Sequence, residues 1–327
     1  MTDNSPRDSP IRVVLLIPLR DDWGSVAELV RRLDEAISAQ PYLVQLLLVD
    51  DGSIQEFQPS DFPPRFFAIR GIRILRLRRN LGHQRAIAIG LAHIETNIVC
   101  DAILVMDGDG EDTPAGVLEL LHAFTGKVAI FAKRSRRTES LDFRLLYQVY
   151  KLLHRLLTGI KVQVGNFSIL PSRYLRALVV TPELWNHYAA AVFRCGLPIA
   201  TLPIRRGRRI AGTSKMNFVA LTVHGISAIS VFGDVVGIRL LGASVAGSLL
   251  AAAGIAIVIA IRLFTNRAIP GWATYSTGAL AVILIQFITM ASSFTFAFLA
   301  NRANLSFVPV RDYELFVDRF EDIYQHG

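Results

Sequence analysis

The sequence predicts an α/β fold built on a doubly wound, mostly parallel sheet. Three observations in the N-terminal half carry that expectation. Short, continuous apolar runs alternate with helical stretches. The runs lack polar alternation, as strands covered on both faces do. Two of them end in acidic turns, Asp50-Asp51 and Asp107-Gly108-Asp109, and a sheet of this type places its site at the carboxyl ends of its strands.

The elements follow in order. Val13-Val14-Leu15-Leu16-Ile17 reads as a first strand, and Val26, Val30, Leu33 and Ile37 repeat at helical spacing behind it. Leu46-Leu47-Leu48-Val49 is a second strand, closed by Asp50-Asp51-Gly52-Ser53. Ile72–Leu77 is a third, followed by a helix over His83–Ile94. Ala102–Met106 leads into the acidic loop, a helix starts at Pro114, and Val128–Ala132 is another strand. From Phe143 the pattern changes. Leu145, Leu146, Val149, Leu152, Leu153, Leu156 and Leu157 share one helical face, and Arg144, Lys151 and Arg155 another. Such a helix suits a membrane interface or an ordinary place against the sheet. Phe218–Phe232 is a second helix of this kind.

Near the C-terminus, Leu240–Ile261 and Ala273–Ala300 carry no charge. At about 1.5 Å per residue each spans a hydrocarbon core of ~30 Å, so they read as two transmembrane helices joined in a hairpin across Arg262–Trp272. Arg239, Arg302 and Arg311 flank the supposed inner side, although Arg262 and Arg267 occupy the outer loop. Met1–Pro10 is polar, and Val13–Ile17 is too short for the core of a signal peptide, so none is expected. The two cysteines, Cys100 and Cys195, form no framework and fit a reducing cytosol. The net charge of +8 is concentrated at Lys133–Arg155 and at Arg205–Lys215. No aromatic stacking platform accompanies these clusters, which disfavours nucleic acid and favours anionic membrane lipid as a partner.

Asp107-Gly108-Asp109-Gly110-Glu111-Asp112-Thr113-Pro114 carries the chemistry. Carboxylates at alternate positions after a buried strand can turn their oxygens toward one hard cation, Mg²⁺ or Mn²⁺, shared with substrate phosphates. Thr113 and Pro114 read as helix N-cap and N1. An EF-hand is excluded, because Asp112 stands where its glycine belongs and Leu118 where its bidentate Glu belongs. A solvated acidic turn is the plain alternative; the matching acidic end at Asp50-Asp51 argues against it.

With these motifs in place the chain resembles the family 2 polyprenyl-phosphate glycosyltransferases, which include dolichol-phosphate mannose synthase and bactoprenol glycosyltransferases. Ile17-Pro18-Leu19-Arg20-Asp21-Asp22 resembles the family's Pro-Val-Tyr-Asn-Glu opening, and Val49-Asp50-Asp51-Gly52-Ser53 its Val-Asp-Asp-Gly-Ser. Leu77-Arg78-Arg79-Asn80-Leu81-Gly82-His83 is similar to Leu-Ser-Arg-Asn-Phe-Gly-Lys, and the acidic loop to Asp-Ala-Asp-Leu-Gln-Asp-Pro-Pro. Arg209-Ile210-Ala211-Gly212-Thr213-Ser214-Lys215 follows Arg-x-Ala-Gly-x-Ser-Lys. Three departures stand out. Arg20 replaces a Tyr, Glu111 a Gln, and Asn166 an acid. The Gln-x-x-Arg-Trp motif of processive synthases is absent, since Trp23, Trp185 and Trp272 do not follow an Arg.

The resemblance implies a GT-A, Rossmann-like domain and inverting transfer of a sugar from a nucleotide-diphosphate sugar to a polyprenyl phosphate, undecaprenyl phosphate in a bacterial host. Another lipid acceptor, such as diacylglycerol or a lipid A precursor, and a catalytically inactive scaffold or flippase partner are the alternative functions. The implied metal ligands are Asp107, Asp109 and Glu111; Pro18, Arg20, Asp22, Asp50 and Asp51 would hold the donor nucleotide. Arg134, Arg144, Arg209 and Lys215 would bind the acceptor phosphate, and Asp107, Asp109, Arg209 and Lys215 would carry catalysis. His83, His154, His187 and His224 read as structural or solvated. The chain divides into a polar tail (1–10), a cytoplasmic glycosyltransferase domain (11–215), juxtamembrane amphipathic helices (216–239), two transmembrane helices within 240–300 (240–261 and 273–300) and a cytoplasmic C-terminal tail (301–327). That places it in the inner, cytoplasmic membrane as a multi-pass protein, with room for a homo-oligomer. The sugar and the nucleotide are not specified.

Overall fold

The computed structural model describes residues 10–134, 141–160, 164–211, 218–265, 269–303 and 307–326. It separates into two compact units. One comprises Met1–Arg144, Val162–Val231 and Phe307–Gly327, the other Leu145–Lys161 and Phe232–Ser306.

The first unit is a three-layer α/β structure. β1 (Ile11–Leu19), β2 (Tyr42–Asp50), β3 (Ile69–Leu77), β4 (Ala102–Val105), β5 (Ala129–Arg134), β6 (Ser168–Pro171), β7 (Ile199–Ile204) and β8 (Val317–Gln325) form one sheet in the order β7-β5-β6-β4-β1-β2-β3-β8. β4, β1, β2 and β3 pair in parallel, as do β5 and β7. β6 runs antiparallel between β4 and β5, and β8 antiparallel on the β3 edge. The continuous apolar runs are explained by burial on both faces. Val13, Leu15 and Ile17 pack with α1 (Trp23–Ile37), while Val14 and Leu16 pack with α2 (His83–Asn97). α3 (Pro114–Ala123) joins α1 on the first face. The short helices α5 (Leu175–Val179) and α6 (Tyr188–Arg194) join α2 on the second. α4 (Leu141–Thr158) lies between β5 and β6 in sequence, and α7 (Phe218–Ser230) follows β7.

The mostly parallel sheet agrees with the sequence expectation. Two points correct it. Residues 301–327, read as a tail, contain β8, whose Arg319 pairs in register with Arg76 of β3. The stretch between the two helices read after Phe143, to which the sequence reading gave no element, contributes β6 and β7 to the sheet.

In the second unit, α8 (Gly233–Phe264) and α9 (Trp272–Ala303) pack antiparallel, with Gly247 against Phe287 and Gly254 against Leu280. Both are long and apolar enough to cross a membrane. Their outer faces carry exposed Leu249, Ile257 and Phe296, which suits lipid and not water. The part of α4 in this unit also turns apolar residues outward: Leu152, Leu153 and Leu156 are exposed, whereas His154 and Thr158 are buried. Arg239 donates through Nη1 to the carbonyl of Leu156 at 2.7 Å and ties the end of α4 to α8.

Candidate functional site

Parallel pairing brings the carboxyl ends of β1, β2 and β4 side by side: Leu19 is opposite Asp50, and Leu16 opposite Val105. The residues beyond these ends form the first wall of the site. Pro18 is buried, Arg20 is exposed, and Asp22 is half-buried at the start of α1 without capping it. Asp50 is 2% exposed. Its Oδ1 accepts from the Ser53 amide at 2.9 Å, and its Oδ2 lies 3.4 Å from Arg76 Nη1. Asp51 accepts from the amides of Leu81 at 2.6 Å and Gly82 at 2.9 Å. Burial pushes the Asp51 carboxyl up from its ordinary value, with those two amides opposing. Both carboxylates therefore brace loops, a role their position alone does not reveal.

Asp21, which sequence reasoning passed over, braces the same wall. Its backbone is left-handed (φ 49°), and Oδ1 accepts from the amides of Ile54 at 2.7 Å and Gln55 at 3.1 Å. Asp tolerates that conformation better than most residues because its short side chain bonds locally.

The acidic loop forms the second wall. As expected, Thr113 caps α3, accepting from the Gly116 amide at 3.1 Å, with Pro114 behind it. Asp112 turns back to accept from the Asp107 amide at 2.9 Å, and Asp109 Oδ1 accepts from the Glu111 amide at 2.9 Å. Gly110 holds φ 83°, a conformation that glycine adopts without strain.

A basic strap, residues 205–211, lies along this loop. It leaves β7 at Ile204, which pairs with Arg134 of β5, so the two basic clusters begin on neighbouring strands. The Gly207 amide donates to the Glu111 carbonyl at 2.8 Å, and the Ile210 amide to the Asp109 carbonyl at 2.9 Å. Alongside these bonds, Arg206 pairs with Glu111 through Nη2 and Oε2. Arg209 Nη2 lies 2.7 Å from Asp109 Oδ2. The packing is close. A Cβ at Gly207 would meet Thr113 Cγ2 at 2.5 Å and the Gly110 carbonyl oxygen at 2.9 Å.

His83, at the start of α2, completes the site. Its Nε2 is 3.1 Å from Asp107 Oδ1 and 3.1 Å from Asn166 Nδ2. Desolvation disfavours its imidazolium, but the Asp107 carboxylate, helped by Asp51 and Asp112, outweighs that and raises its pKa above the ordinary value. The sequence signal for His83 was its place in the Arg-Asn-Leu-Gly-His stretch after β3; a lone His at a helix start otherwise reads as solvated. The strap arginines were visible as a basic cluster, but their acidic partners were not.

Asp107, Asp109, Glu111 and Arg209 are thus brought together, and Pro18, Arg20, Asp22, Asp50 and Asp51 sit on the adjoining strand ends. Lys215 and the side chains of Arg134 and Arg144 lie outside the described residues. Among the described residues, no group of three or more His, Cys, Asp or Glu side chains is arranged to hold a metal. Mg²⁺ seldom needs such a cage; it commonly takes one or two carboxylates, substrate phosphates and water. The oxygen donors of Asp107 and Asp109 fit that pattern. Glu111, read from the sequence as a third ligand, pairs with Arg206.

Comparison with known proteins matches residues 15–178 to the family described as Glycosyl transferase family 2. The uncharacterized glycosyltransferase YkcC of Bacillus subtilis (strain 168) is 26% identical over 278 residues, covering 81% of each chain. An undecaprenyl-phosphate 4-deoxy-4-formamido-L-arabinose transferase of Salmonella choleraesuis (strain SC-B67) is 25% identical over 299 residues, covering 86% of this chain and 85% of the relative. Among solved structures, glucosyl-3-phosphoglycerate synthase from Mycobacterium tuberculosis, in complex with Mg²⁺ and uridine diphosphate, superposes with a TM-score of 0.47 at 14% identity. That match covers 69% of this chain and 80% of the other.

Proposed function

The chain belongs to glycosyl transferase family 2, and from that premise we propose that it transfers a sugar from a nucleotide-diphosphate donor to the phosphate of a membrane polyprenol, with inversion. The carrying observation is the acidic loop at the end of β4, clasped by the basic strap, in a chain that also holds two apolar helices of membrane-spanning length. The relative named for undecaprenyl phosphate matches over most of both chains and supports the acceptor class.

Asp107 and Asp109 would hold Mg²⁺ or Mn²⁺, which when bound supplies Lewis-acid stabilisation of the departing diphosphate. Arg20 and Asp22, less buried than their neighbours, would meet the nucleoside, with Pro18 lining the wall and Asp50 and Asp51 bracing it. Arg134, Arg144, Arg209 and Lys215 would receive the acceptor phosphate. That phosphate needs no general base. Its second pKa is about 6, so its oxygen is already ionised when it attacks the anomeric carbon and the bond to the nucleoside diphosphate breaks. The protein's own work is to align two anionic groups and balance their charge. Nucleotide sugars are cytosolic, which puts the first unit and both chain ends on the cytoplasmic side.

Membranes containing the protein, incubated with radiolabelled UDP- and GDP-sugars in Mg²⁺ or Mn²⁺, should yield labelled lipid that is lost with Asp109→Asn. Label that stays water-soluble with every donor, or full activity of Asp109→Asn, refutes the proposal.

A further inference from the structure

The two arginine pairs on the acidic loop differ in what surrounds them, and that difference assigns them different tasks. Arg206 and Glu111 are 19% and 17% exposed, and the Gly207 amide bonds to the carbonyl of the same Glu111. The cavity lined by Glu111, Asp112, Phe167 and Arg206 is about 10 Å³. That volume holds roughly one water and no phosphate. Arg206 is therefore a positioning residue, which locks the strap to the loop and has no room for substrate.

Arg209 does not line that cavity. It is 25% exposed, and its partner Asp109 14%. Of the two Asp109 oxygens, Oδ1 is held by the loop's own Glu111 amide and Oδ2 by Arg209. A cation arriving at Asp109 Oδ2 meets the guanidinium already there. Two cations at one carboxylate oxygen repel each other, so Arg209 gives way. A half-desolvated guanidinium that has lost its carboxylate is left with an unpaid need for an anion, and a phosphate offers two oxygens to its planar fork.

We infer that Arg209 is an exchangeable counter-ion. It closes the Asp109 carboxylate while the metal is absent, and metal binding releases it to a phosphate, with Arg206–Glu111 holding the strap in place throughout. Binding would then be ordered: metal with donor first, acceptor phosphate second. This rests on the metal role of Asp109 proposed above.

The test uses the full-length protein in detergent and Mn²⁺ itself as the probe, with free Mn²⁺ followed by electron paramagnetic resonance. Arg209→Gln should tighten Mn²⁺ binding about three- to tenfold, as expected for removing the competitor in a partly buried pair. Arg206→Gln should not tighten it, because Arg206 pairs with Glu111 and not with Asp109. In the wild type, Mn²⁺ should speed phenylglyoxal modification of Arg209 but not of Arg206, read by peptide mass spectrometry. Unchanged or weaker Mn²⁺ binding in Arg209→Gln, or Arg209 modification insensitive to Mn²⁺, overturns the exchange. Tightening in Arg206→Gln overturns the division of tasks. Asp109→Asn separates the two levels. If it leaves Mn²⁺ binding intact, the metal reading itself fails; if it weakens binding while Arg209→Gln has no effect, only the exchange fails.

Discussion

Replacing Gly207 with Ala tests whether the clasp between strap and acidic loop matters to catalysis. The added methyl would stand 2.5 Å from Thr113 Cγ2 and 2.9 Å from the Gly110 carbonyl oxygen. Neither neighbour yields cheaply. Thr113 caps α3 through the Gly116 amide, and rotating it away loses a cap worth about 1 kcal/mol. The Gly110 oxygen is backbone, so relief there means parting strap from loop and losing the Gly207–Glu111 hydrogen bond, another ~1 kcal/mol. Together these make about 2 kcal/mol, roughly a thirtyfold drop in the docked population. Sugar transfer to extracted lipid should fall by about that factor. Hydrogen exchange at the Gly207 and Ile210 amides should accelerate to match, with far-UV circular dichroism unchanged because the sheet core is untouched. Wild-type transfer with both amides still protected would refute the reasoning, and so would lost transfer with full protection.

Arg76 joins buried Asp50 to Glu321 of β8, so Arg76→Met should strand the Asp50 carboxylate. The variant should lose about 3 kcal/mol, seen as a lower Tm; an unchanged Tm would show the pair to be dispensable. His93, buried on α2 against Tyr313 and Phe320, has its pKa pushed down to about 4 by desolvation, aided by the Arg73 charge. Its neutral form is the folded one, so this contribution to stability is complete above pH 6.5 and is lost as pH falls toward 4. That amounts to roughly 3 kcal/mol across the window. Thermal melts of wild type and His93→Phe should diverge in pH slope only there; parallel slopes would refute it. Burial, with Asp101 beside it, lifts the Cys100 thiol to about 12, and burial also raises Cys195. At pH 8 a maleimide should therefore label neither cysteine in the folded protein at the rate of a free thiol. Prompt native labelling would contradict the thiol environments.

Local signals in the sequence were enough to determine the succession β1–α1–β2–β3–α2–β4–α3–β5, the acidic loop at the end of β4 and the Thr113-Pro114 start of α3. Two long apolar helices near the C-terminus were equally plain. Each is written in neighbouring residues: a run of apolar side chains, a helical repeat, a cap, a length without charge. What only the tertiary structure decided joins residues far apart in the chain. Val317–Gln325 carries no strand-like apolar run of its own, and it becomes β8 because the β3 edge offers unpaired backbone groups. β6 is short and lies antiparallel between two strands that precede it in sequence, a placement no local pattern states. Within the site, nothing local in the sequence states that the Leu81 and Gly82 amides donate to Asp51. The cluster at Arg205–Arg209 reads as charge for lipid or for the acceptor phosphate, and its partners Glu111 and Asp109 are seen only in the fold. The physical reason is common to all four. Backbone propensity and hydrophobic period act over a few residues, whereas a carboxylate's partner is chosen by whichever distant donor the packed sheet brings within about 3 Å.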